Sequence, residues 1–188
     1  MTKRTRAAAA NAAAPSTEPA EGAIESAQAA DAVRGCGPEE FRARRERFLQ
    51  SIGNGVAVLA AAPELIKSRD TEIPYRQNSD FFYLTGFLEP DAVAVLTPHD
   101  PEHRFTLFVR PRDAERETWS GRRAGVEGAR ERYGADAAYP IAELDERLKA
   151  LVEPGDALWY SIQADGGEMD ARMLTLLAGY RGTRPRAG

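Results

Sequence analysis

Cysteine is almost absent from this 188-residue chain: there is one, Cys36, so no intrachain disulfide and no cysteine-rich zinc site can form. Only two histidines occur, His99 and His103, which leaves little scope for histidine-based catalysis. No run approaches the ~18 apolar residues of a membrane-spanning helix, and no membrane partner is expected. Charge is nearly balanced, with 25 Lys plus Arg against 29 Asp plus Glu and a net −4. That excludes a broadly basic nucleic-acid binder, although a local basic patch stays open. The chain also lacks a GxGxxG turn, a Gly-Lys-Ser/Thr phosphate loop, a Gly-x-Ser-x-Gly elbow and an HExxH pair. What is plentiful is apolar material, 43% of residues, enough for one packed domain.

That material is unevenly distributed. Residues 7–33 contain 13 alanines, no aromatic residue, and only Ile24 and Val33 as large aliphatics. Such a stretch cannot bury enough area to offset chain entropy, so residues 1–37 are expected to be a disordered Ala-rich tail. Its four bases (Lys3, Arg4, Arg6, Arg34) and four acids (Glu18, Glu21, Glu25, Asp31) cancel, which puts the net charge on the body. Met1–Arg6 resembles the basic start of a signal peptide, but no apolar segment follows, and the acids from Glu18 onward argue against an organellar transit peptide. A cytoplasmic location is expected. Cys36, in the turn-like Gly35–Pro38, shows no neighbouring base and reads as an inert linker thiol.

The body reads as alternating helices and strands. Pro38-Glu39-Glu40 suits the first turn of a helix, and Phe41, Phe48, Leu49 and Ile52 then fall on one face. Arg42, Arg44, Arg45 and Arg47 cover its other sides. Interleaved with Glu39, Glu40 and Glu46, they read as a solvated face, with a polybasic patch as the other possibility. Val56–Ala62, Asp91–Thr97, Arg104–Arg110 and Gly155–Ile162 are strand-like. The second and third are joined by a polar link containing Pro98 and Pro101, which predicts a hairpin. Helices are expected over Val126–Tyr133, over Ile141–Val152 (Ile141, Leu144, Leu148, Leu151) and from Met169 to Tyr180. The resulting fold class is α/β, a mixed β-sheet flanked by helices and preceded by the tail.

Chemistry is harder to place. His99, Asp100 and His103 sit in the turn of the predicted hairpin without support for a metal. Two other segments are denser in aromatic and polar residues than a plain surface. The first is Tyr75-Arg76-Gln77-Asn78-Ser79-Asp80-Phe81-Phe82-Tyr83-Leu84-Thr85-Gly86-Phe87. Asn78 or Ser79 could cap a helical turn. The rings could anchor a loop on the sheet, with Arg76 and Asp80 satisfying buried backbone or each other, or the segment could face a ligand. The second is Glu117-Thr118-Trp119-Ser120-Gly121-Arg122-Arg123-Ala124-Gly125. Trp and Arg dominate interfaces, and Arg binds carboxylates bidentately, so this is either an interface or an exposed turn with one ring tucked in.

These residues carry a resemblance. With Pro74 and Glu89-Pro90-Asp91-Ala92, the first segment resembles the N-terminal domain of bacterial aminopeptidase P, the Xaa-Pro aminopeptidase of the creatinase/prolidase group. Trp119-x-Gly121-Arg122-Arg123-x-Gly125 is similar to a second stretch of that family, and the likeness covers Phe41–Gln163 and none of residues 1–37. It implies an accessory domain over 38–180, with 181–188 beginning a linker to a larger catalytic domain. There, two divalent metals, usually manganese, are held by two Asp, one His and two Glu, and the residue preceding proline is removed from peptides. It also implies a homo-oligomer, proline-containing peptides as substrate, and a domain that shapes assembly and active-site access. Tyr75, Arg76, Asn78, Ser79, Asp80, Tyr83 and Gly86 are expected to be mainly structural. Trp119, Arg122 and Arg123 are expected at a substrate or subunit interface. No histidine follows His103, so no metal ligand, catalytic residue or cofactor is assigned to this chain. It is expected to be a fragment lacking the catalytic domain and inactive alone, or else a stand-alone, non-catalytic peptide- or protein-binding module. Either way the isolated chain is expected to self-associate.

Overall fold

The computed structural model describes residues 36–63, 75–113, 117, 122–162 and 167–182. Residues 1–35 of the expected 1–37 tail lie outside the described residues. Helix α1 spans Pro38–Ser51, with Pro38 at its start and Glu39 and Glu40 in its first turn. Strand β1 (Val56–Ala60) follows, then a short helix α2 (Ser79–Thr85), β2 (Val93–Leu96) and β3 (Phe105–Val109). Helix α3 (Gly125–Glu131), β4 (Ala137–Pro140), a 3-10 turn (Ile141–Glu143) and helix α4 (Leu144–Val152) come next. Strand β5 (Leu158–Tyr160) and helix α5 (Glu168–Gly182) complete the described elements.

The five strands form one mixed sheet in the order β4-β3-β2-β1-β5. β2 pairs antiparallel with β3, Ala94 opposite Leu107, as the hairpin reading requires. β1 runs antiparallel to β2 and parallel to β5, while β3 is parallel to β4. The central strands are buried throughout because both faces of the sheet are covered. On one face Ala57, Ala94, Leu96, Leu107 and Val109 pack under Leu49 of α1 and Phe81 and Leu84 of α2. On the other, Val56, Val58, Val95 and Phe108 meet Leu144 and Leu148 of α4 and Met173 of α5. Strand alternation thus sorts side chains into two cores, one on each side of the backbone.

Three local readings change. Strand β4 is not among the expected strands: its four residues are too few to show alternation, and Pro140 is tolerated because the strand lies at an edge of the sheet. The predicted helix over Ile141–Val152 divides into the 3-10 turn and α4, which buries Leu144, Leu148 and Val152. Arg45 is not part of a solvated face: it is 5% exposed. Its guanidinium lies 4.1 Å from the centre of the Phe105 ring and donates to the Leu84 carbonyl at 3.1 Å. Burial pushes its pKa down to about 10, against the pull of Asp136, so it remains charged near neutrality.

Candidate functional site

The first aromatic segment is built around Gln77. Its side-chain oxygen accepts the backbone N–H of Ala62 at 2.7 Å and of Asn78 at 2.8 Å. Its amide nitrogen donates to the carbonyls of Phe87 at 3.2 Å and Glu89 at 3.1 Å. One amide therefore ties the end of β1 to both sides of α2. Asn78, rather than Ser79, caps α2 by accepting the Asp80 N–H at 3.0 Å. Gly86 ends the helix at φ +68°, and a Cβ there would lie 2.8 Å from the Phe41 ring. Phe81 and Phe87 are fully buried and meet edge to face at 6.4 Å. Arg76, Ser79 and Asp80 are exposed, so the buried backbone is satisfied by Gln77 instead of by Arg76 or Asp80. Tyr75 donates its hydroxyl to the Ala62 carbonyl at 3.0 Å.

The second segment is held at its base. Glu117 receives Arg112 through two bonds, of 3.0 and 2.9 Å. Arg112, together with the Arg123 backbone N–H, holds its carboxyl below the usual range. The next amide, Ala124 N–H, donates to Glu89 Oε1 at 2.6 Å. Gly125 adopts φ +63°, and a Cβ there would come within 2.5 Å of Arg112 Cγ, so only glycine lets Arg112 cross to Glu117. Arg122 is exposed and Arg123 half-buried. Thr118, Trp119, Ser120 and Gly121 lie outside the described residues, so the structure does not place Trp119.

A groove of about 610 Å³ opens between α1, α2 and the β5 edge, lined by Arg44, Arg47, Tyr83, Leu59 and Trp159 among others. Tyr83 and Trp159 are each about half exposed in it, and Arg44 stacks on the Tyr83 ring at 4.5 Å. Arg44 also donates to Cys36 Sγ at 3.2 Å. The thiol read as an inert linker group therefore has a guanidinium within hydrogen-bond distance.

A family model described as "Aminopeptidase P, N-terminal domain" matches residues 41–159. The chain belongs to this family. It is similar to the Xaa-Pro aminopeptidase of Escherichia coli strain K12, 43% identical over 125 residues, covering 65% of this chain and 28% of that protein. The mitochondrial intermediate cleaving peptidase 55 of Arabidopsis thaliana is 33% identical over 129 residues, covering 67% of this chain and 25% of that protein. Among solved structures, aminopeptidase PepP of Pseudomonas aeruginosa superimposes with a TM-score of 0.71 at 42% identity, over 77% of this chain and 33% of that one. The low-pH form of E. coli aminopeptidase P gives 0.69 at 38% identity, over 78% of this chain and 34% of that one. The chain thus spans a quarter to a third of the length of these relatives.

Within this aminopeptidase P N-terminal domain, His103 is part of the hairpin turn. Asp100 Oδ1 accepts the N–H groups of Glu102 and His103 at 3.0 Å each, and its Oδ2 lies 3.3 Å from His103 Nδ1. Among the described residues no group of three or more His, Cys, Asp or Glu could hold a metal ion. Sequence reasoning passes over Gln77 and Glu89 as individuals. Gln77 stands inside the first segment and Glu89 just after it, and the signal that could single them out is a long amide and a long carboxylate bracketing a short helix.

Proposed function

We propose that this chain is the N-terminal accessory domain of a metal-dependent Xaa-Pro aminopeptidase, contributing to homo-oligomer assembly and to access to the active site. The observation that carries this reading is the joint fold and family match together with the chain's short span of its relatives. The peptide-cleaving step in such an enzyme uses two divalent metals, manganese in the family expectation, to make a hydroxide nucleophile at neutral pH. Those metals belong to a catalytic domain separate from this one. This chain supplies contacts: Trp119 has a role at a substrate or subunit interface, while Arg122 and Arg123 fix the loop or attract the carboxylate end of a peptide.

The test is a pair of assays with an Xaa-Pro peptide and manganese. A polypeptide carrying this domain with its catalytic partner releases the first residue, and the 188-residue chain does not. Manganese-dependent turnover by this chain alone contradicts the proposal. In the active polypeptide, Trp119→Ala changes kinetics or assembly; no change in either removes the role given to Trp119. Cytoplasmic location is part of the proposal and is checked by fractionation.

A second reading, a stand-alone binding module, is favoured by one observation: the groove presenting Tyr83, Trp159, Arg44 and Arg47. The gene decides between them. A reading frame continuing into a metal-ligand pattern supports the enzyme domain, and a stop after Gly188 supports the module.

A further inference from the structure

We infer that Glu89 is a positioning residue that ties the Arg122–Gly125 segment to the body of the domain. Glu89 follows the first aromatic segment, and Ala124 belongs to the second. They lie 35 residues apart, yet the 2.6 Å bond from Ala124 N–H to Glu89 Oε1 joins them. The contact is one of a pair. Two successive backbone amides, Arg123 and Ala124, are each taken by a carboxylate, Glu117 for the first and Glu89 for the second.

The two carboxylates differ in what stands behind them. Glu117 belongs to the same segment and is braced by Arg112. Glu89 belongs to the scaffold: its backbone carbonyl is held by Gln77, which also grips Ala62, Asn78 and Phe87. Glu117 therefore closes the base of the segment on itself, and Glu89 fixes that base to the sheet. The bond is part-buried, and the positive charges of Arg110, Arg132 and Arg123 act on the Glu89 carboxyl, whose other oxygen, Oε2, is buried with no hydrogen-bond partner among the described residues. A hydrogen bond partly screened from water resists local opening more than an exposed one. The consequence for peptide binding, that a loosened base misplaces Arg122 and Arg123, rests on the function proposed above. The tie itself does not.

Amide exchange on this chain tests the tie. Glu89→Ala deletes the acceptor; Glu89→Gln retains an oxygen for the same N–H. Ala124 exchange is expected to rise about tenfold or more in Glu89→Ala and to stay within about threefold of wild type in Glu89→Gln. Leu107, at the centre of the sheet, is expected to keep its relative protection in both. If the alanine variant does not fold, Glu89→Leu keeps the volume without the acceptor and carries the same expectation. Ala124 exchange that is unchanged, or that moves only in step with Leu107, overturns the inference. In an active polypeptide containing this domain, Glu89→Ala is expected to raise KM for an Xaa-Pro peptide with kcat within about twofold, and Glu89→Gln to restore KM. A rise in Ala124 exchange without a KM change refutes the catalytic consequence. Absence of peptidase activity in the unsubstituted polypeptide refutes the proposed function and leaves the exchange result standing.

Discussion

Arg45 illustrates what one side chain can do in this domain. Its stem and guanidinium fill the space over Phe105 and satisfy the Leu84 carbonyl. Arg45→Ala leaves a cavity and an unpartnered carbonyl, with an expected loss of about 2–3 kcal/mol. The exposed neighbour Arg42 is expected to lose less than about 0.5 kcal/mol on the same change. Urea unfolding of both variants checks the contrast, and equal losses refute it. Glu89 makes a pH prediction. Burial holds its carboxyl above the usual range, opposed by the Ala124 N–H and by Arg110, Arg132 and Arg123. The folded state therefore keeps this proton to higher pH than the unfolded chain, whose Glu titrates near about 4.3. That contribution to stability is complete below the unfolded pKa and is lost as pH rises through the folded one. Relative to Glu89→Gln, the wild-type urea midpoint is expected to fall as pH rises above the range in which an unfolded Glu titrates; a relative rise contradicts it.

Helix α2 shows how an element seven residues long is made secure. Asn78 caps its start, Thr85 donates back to the Phe81 carbonyl at 2.7 Å and accepts the Phe87 N–H at 3.0 Å, and Gly86 turns the chain out. Gly86→Ala combines a left-handed backbone with a clash against Phe41, which belongs to α1. The expected cost is about 1–3 kcal/mol by thermal or urea unfolding, against a few tenths for Gly37→Ala, where a Cβ meets nothing within 4 Å. Much of this level was legible in sequence. The Pro38 helix start, the hairpin and the burial of Leu144 and Leu148 follow from spacing alone, because amphipathic period and turn chemistry are local properties. Strand β4 was illegible for the same reason, since four residues ending in proline carry no period and exist as a strand only because β3 is alongside.

For the whole molecule, apolar side chains remain on the outside. Trp159 and Tyr83 flank one groove, Leu174 and Leu177 lie on the last helix, and Ile162 follows β5. Such surface favours association in water. The isolated chain is therefore expected to self-associate as concentration rises, and light scattering that reports a monomer at high concentration refutes this.

Composition and pattern sufficed for the α/β class with a mixed sheet and for the family resemblance of the two motif segments, because burial of periodic apolar residues leaves few architectures open. Which residues within those motifs matter was decided only in three dimensions. Gln77 meets Ala62 across the edge of β1, Arg45 meets Phe105 across a helix–sheet interface, and Glu89 meets Ala124 across 35 residues. No spacing rule encodes these contacts. They depend on strand register and helix placement, and these are set by packing of the whole chain.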